Sequence, residues 1–119
     1  MAIREGEKIP SVKVKATDMK DVTTDEHFGG KKVELFAVPG AFTPTCSNQH
    51  LPGFIEKADE IRAKGVDDII CMSVNDAFVM DAWGKERGAG DKVRMIADGN
   101  GDLAKALGLD FDGTGIGFG

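Results

Sequence analysis

The stretch VELFAVPGAFTPTCSNQH, Val33 to His50, changes character half-way along. Val33 to Val38 is nearly continuously apolar, the pattern of a central strand buried on both faces, and Pro39-Gly40 ends it. From Cys46 to Lys64 the apolar residues Leu51, Phe54, Ile55, Ala58 and Ile61 recur at helical spacing. Gly65 is placed to end that helix, and Pro52 to kink it or distort its first turn. The rest of the chain repeats the unit. Ile69 to Val74 is a second apolar run, and Ala77 to Arg87 a second helix carrying Phe78, Met80, Ala82 and Trp83 up to Gly88. Val93 to Ala97 is a third strand, and Gly101 to Leu107 a short third helix ended by Gly108. Strand, helix, strand, helix, strand, helix predicts right-handed crossovers and an α/β fold, a largely parallel central sheet flanked by helices. Upstream, Ser11 to Lys15 alternates as a short edge strand would, and Thr24 to Gly30 reads as a turn or short helix with His27 in a loop.

A chain of 119 residues without repeat or linker predicts one domain spanning 1–119. Its 41% hydrophobic and 29% charged residues are those of a soluble globular protein. A net charge of −5, with no cationic run longer than Lys31-Lys32, argues against nucleic acid and anionic membranes as partners. No apolar run reaches the ~20 residues of a membrane-spanning helix. The start, MAIREGEKIP, lacks the apolar core of a signal peptide, and acidic residues from Glu5 onward argue against an organellar transit segment. Two cysteines in such a chain read as reduced thiols, and the expectation is a cytoplasmic protein.

In parallel sheets, sites form beyond the carboxyl ends of strands, where Cys46 falls. Thr43 or Thr45 can cap the helix, and Pro44 suits its opening. The Cys46 sulfur then lies near unpaired N–H groups and the positive end of the helix dipole. That setting lowers a thiol pKa from about 8.5 toward or below neutrality and favours the nucleophilic thiolate. The Thr43 hydroxyl could bond the sulfur or an oxygen-bearing substrate. The competing reading is a buried, inert thiol, since free cysteine is among the most buried residue types. His50, one turn on, either helps to orient the site or is a structural histidine on the helix face.

Cys46, His50, Cys71 and His27 do not match a zinc spacing. A phosphatase loop would need arginine where Pro52 stands, and a dithiol motif a second cysteine near Cys46. Asp98 to Asp102 imitates a calcium loop but continues to Leu103 and Leu109, where glycine and glutamate belong.

Pro39, Thr43 and Cys46 spell P-x-x-x-T-x-x-C, which resembles the active-site signature of peroxiredoxins. PGAFTPTCSNQHLPGF and the later CMSVNDAFVMDAW resemble the type II/type V, peroxiredoxin 5-like group, and the likeness covers essentially the whole chain. It implies a thioredoxin-like fold and thiol-dependent reduction of hydrogen peroxide and organic hydroperoxides. By that resemblance Cys46 would be the peroxidatic cysteine, passing through a sulfenic acid. Thr43 would bond peroxide and thiolate, Pro39 would shield the cysteine, and Gly40, Phe42 and Thr45 would line the substrate pocket. The Cys46 N–H would hold developing negative charge. Cys71, in an apolar strand, is either a small core residue or a resolving cysteine as in plant-type relatives. With both thiols buried, an internal disulfide would need local unfolding, so recycling by glutathione with glutaredoxin, or by thioredoxin, is favoured. No cofactor and no metal are implied. The family's habit of forming homodimers implies contacts through Phe42 and the Asn75-Asp76-Ala77-Phe78 turn.

Family chains continue past a D-G-T/S-G-x-G segment, here Asp112 to Gly117, into a basic stretch, a strand pair and a helix. The family's catalytic arginine lies in that stretch. Six of the last nineteen residues are glycine, as in a loop. The expectation is therefore a chain shortened at its C-terminus, lacking those strands, with Arg94 and Arg87 the nearest arginines but no match. Such a form would be a poor peroxidase, or would fold only with strand exchange. The alternative reading is a catalytically impaired thioredoxin-like interaction module or fragment.

Overall fold

Asp68–Ser73 is an apolar run from Ile69 to Met72, and it is the middle one of three parallel strands. In a computed structural model describing residues 2–117, it is flanked on both sides by parallel neighbours, and all six of its residues are buried. The sheet has five described strands: β1 (Lys13–Ala16), β2 (Asp21–Thr23), β3 (Val33–Ala37), β4 (Asp68–Ser73) and β5 (Arg94–Ala97), in the order β2-β1-β5-β4-β3. β3, β4 and β5 are parallel, whereas β1 runs antiparallel to both β5 and β2. The fold is thioredoxin-like, with a mixed sheet between helices.

Two positions in the sheet differ from expectation. Val33–Val38 is not central: β3 lies at the end of the described sheet, and Glu34 and Ala37 are exposed. The single charge at Glu34 marked an open side that the otherwise apolar run concealed. Ser11–Lys15 is not an edge either. β1 is shielded by β2, a strand of three residues too short to show periodicity, and Lys15 pairs with Asp21 across the two strands at 2.7 Å.

Alternation along β4 builds two cores. Ile69 and Cys71 face one side with Phe36, Met95, Leu51, Met80 and Trp83. Ile70 and Met72 face the other with Val14, Ile96, Leu103 and Leu107. The first side is covered by α2 (Leu51–Glu56), α3 (Ala58–Ala63) and α4 (Ala77–Glu86), the second by α1 (Thr24–Phe28) and α5 (Asp102–Ala106). His27 thus falls within α1 rather than a loop. The buried stripe of α4 is Ala77, Met80, Trp83 and Gly84. Phe78 and Ala82 are exposed instead, because they sit about a third of a turn off that stripe.

The long helix expected over Cys46–Lys64 is interrupted: its first turn is distorted, one of the two outcomes expected with Pro52, and it does not kink at Pro52 itself. Helical backbone begins at Pro44, widens into a π-helical turn over Cys46–His50, resumes as α2, and breaks at Lys57 before α3. Pro52 is tolerated because it lies near the start of α2, where the widened turn has already displaced the usual hydrogen bond. Gly65, at φ +97°, stops α3 as expected. Part of the glycine-rich tail forms a 3-10 turn, Thr114–Ile116; Phe118 and Gly119 lie outside the described residues.

Candidate active site

Val38 continues the β3 pairing by donating to the Met72 carbonyl at 3.1 Å, and the chain then leaves the sheet through Pro39–Thr43. One side chain beyond β4 catches this loop. Asn75 Oδ1 accepts from the Ala41 N–H at 2.9 Å and from the Ser73 hydroxyl at 2.6 Å. The loop is tight: the Thr43 hydroxyl donates to the Gly40 carbonyl at 2.7 Å. A Cβ on residue 40 would stand 3.2 Å from Thr43 Cγ2, so glycine is what lets the hydroxyl come so near. Phe42 holds a left-handed φ of +63°, a conformation costing a side-chain-bearing residue about 1 kcal/mol.

This geometry settles how the helix begins. The Thr43 carbonyl accepts from the Ser47 N–H at 2.8 Å, whereas its hydroxyl is turned back to Gly40. Thr45 is already helical and makes no capping bond with its side chain. Cys46 follows in the π-helical turn, its carbonyl accepting from the Leu51 N–H, and only 5% of it is exposed. Ser47 is buried beside it and accepts from the Trp83 indole N–H at 2.9 Å. The His50 ring packs 5.1 Å from Phe36 and 5.7 Å from Phe54, and those two phenyl rings stack at 3.9 Å.

The loop beyond β3, Thr43 three residues before the cysteine, and Cys46 at the helix start coincide with the match to the redoxin family model over residues 4–116. The chain belongs to the peroxiredoxins. It is 50% identical over 116 residues to peroxiredoxin-2E of Arabidopsis thaliana, a match covering 93% of this chain and 50% of that protein. With peroxiredoxin-2D of the same plant it shares 49% identity over 114 residues, covering 92% and 70% respectively. Among solved structures, reduced Prx3 from Vibrio vulnificus in complex with H2O2 superposes with a TM-score of 0.92 at 51% identity, covering 97% of this chain and 74% of that one. The chain thus spans about half the length of the first curated relatives it matches.

Pro39 is exposed and borders an apolar groove on the α5 side of the sheet, with Ala37, Met72, Val74, Ala104 and Leu107; Cys46 and Thr43 do not line that groove. Phe42 is half-exposed, with Thr45 exposed and Gly40 partly so. Arg94 begins β5 at the far end of the strands, where its Nε donates to Asp68 at 2.9 Å, so it is turned away from Cys46. Arg87 ends α4 one helical turn beyond Trp83, whose indole bonds Ser47. Arg94 does not take an arginine's place beside the thiol. Among the described residues, no three His, Cys, Asp or Glu side chains gather as a metal-binding group. Ser47, Ser73 and the anchoring role of Asn75 escaped the sequence reading. The Asn-Asp pair directly after a buried strand was the available signal, since Asp76 caps α4 by accepting from Val79.

Cys71 is fully buried in β4, opposite Phe36 and Met95, and is a free thiol like Cys46. Burial pushes its thiol up to about 12 from an ordinary 9.0, and the nearby Cys46 adds to the rise. Below pH 9 the thiol is protonated in folded and unfolded chains alike. Between about 9 and 12 only the unfolded chain ionises there, so stability should fall over that window, by at most about 1.4 kcal/mol per pH unit. Urea titrations across this range should show that fall, and Cys71→Ala should flatten it. An unchanged slope in the variant would contradict the assignment.

Proposed function

We propose that this chain reduces hydrogen peroxide and organic hydroperoxides through Cys46. The thiolate attacks the terminal peroxide oxygen and the O–O bond breaks. The sulfur is oxidised to a sulfenic acid, and the leaving oxygen takes a proton as water or alcohol. Two equivalents of an external thiol then return Cys46 to the thiol, releasing water and a disulfide. The carrying observation is the placement of Cys46 at a helix start directly after a loop that pins the Thr43 hydroxyl. That hydroxyl spends its proton on Gly40, so its lone pairs are free to accept from the O–H of a peroxide. The peroxide held by the Vibrio vulnificus relative supports the same substrate class here. Glutathione with glutaredoxin, or thioredoxin, fits as reductant, because full burial and a raised pKa disfavour Cys71 as the resolving thiol. Two free thiols suit a reducing compartment such as the cytoplasm.

A homodimer is part of this reading. Phe78 is 70% exposed and Phe42 48%, on segments joined through Asn75, which makes apolar surface at this end of the sheet. The same surface favours the second reading, an interaction module without turnover. Stopped-flow mixing of reduced protein with hydrogen peroxide separates the two. Thiol loss orders of magnitude faster than that of free cysteine is expected, and loss at the free-cysteine rate would leave only the module.

A further inference from the structure

Trp83 is the sole tryptophan and is wholly buried. Its indole N–H donates to Ser47 Oγ at 2.9 Å, and its ring lies 6.4 Å from that of Phe42 at a tilt of 49°. Ser47 follows Cys46 directly, and Phe42 stands four residues before it. One side chain of α4 therefore grips the thiol-bearing segment on both sides of the sulfur. The backbone does not require either grip, since the Ser47 N–H is satisfied by Thr43 and the Cys46 carbonyl by Leu51. The gripped segment does need holding. Phe42 is left-handed, and the turn over Cys46–His50 carries one residue more than an α-helical turn.

We propose that Trp83 is a positioning residue for Cys46. Through Ser47 and Phe42 it keeps the widened turn closed and the sulfur folded in at the end of the sheet. Removing either end of the indole bond leaves a buried polar group unpaired and lets the turn open while the rest of the fold stands. The purpose of the held thiol rests on the peroxidase reading; the holding itself does not.

The test uses the full chain with Ser47→Ala, Trp83→Phe and the double variant. Three quantities are measured: urea stability, labelling of Cys46 by an aromatic disulfide reagent with the site identified by peptide mass, and the rate with hydrogen peroxide. Each single variant should label Cys46 about tenfold faster or more, with little dependence on urea at low concentration, as local opening requires. The double variant should label no faster than the faster single one, because both changes break the same bond. The peroxide rate should fall as labelling rises. Labelling within about twofold of the parent in Ser47→Ala overturns the proposal. So does an increase that follows global unfolding, or one that is additive in the double variant. A parent protein that meets peroxide at the free-cysteine rate would defeat the peroxidase reading and leave the labelling result to decide the positioning role.

Discussion

Cys46→Ser should lower the reaction with hydrogen peroxide by roughly 10³-fold or more, while the fold survives. The exchange replaces sulfur with oxygen in a site that is 5% exposed, so packing changes little. A serine hydroxyl stays protonated near neutral pH and attacks peroxide oxygen poorly, whereas a thiolate attacks it well. Cys71→Ala is the matching control. Its thiol is fully buried and held up to about 12, so the peroxide rate should stay within about twofold. Stopped-flow rates for both variants are the measurement. A Cys46→Ser protein that still consumes peroxide at the parental rate would move the chemistry elsewhere in the chain.

Asp98→Ala should cost about 2–4 kcal/mol of folding stability, among the larger effects of a single polar change here. Asp98 is 2% exposed and holds the start of α5 with both oxygens, Oδ1 accepting from Leu103 at 2.9 Å and Oδ2 from Ala104 at 2.8 Å. Alanine would leave both N–H groups buried without partners, beneath the helix that supplies Leu103 and Leu107 to the second core. Asp98→Asn, which keeps one acceptor, should lose about half as much. Urea unfolding midpoints decide the matter, and a shift of Asp98→Ala under about 1 kcal/mol would mean that water replaces the carboxylate.

The parallel strands and the helix after Pro39 were legible because burial imposes apolar runs and helical spacing, and both survive in the sequence. Strand order was not. Nothing in Val33–Val38 distinguishes a central strand from one at the end of the sheet except Glu34, and β2 has too few residues to leave a period. Around the thiol, Thr43 and Cys46 were visible as a spacing. The direction of the Thr43 hydroxyl was hidden, because it depends on the left-handed Phe42 and the missing Cβ of Gly40. Trp83 read as one apolar position in a helix. Its role depends on a bond to Ser47, 36 residues away, which no local pattern records.

The widened turn over Cys46–His50 also bears on how such a chain tolerates insertion and deletion. A turn with one surplus residue is the scar that a one-residue insertion leaves when the helices on either side keep their packing. Deleting Asn48 or Gln49, both exposed, would restore an ordinary α-helical turn and leave α2 on its core. The same deletion would turn the segment before it, Cys46 included, by about 100° around the helix axis relative to α2. At this place a length change that the fold absorbs is one that the chemistry does not, so screens for stability and screens for turnover would rank the same deletions in opposite order.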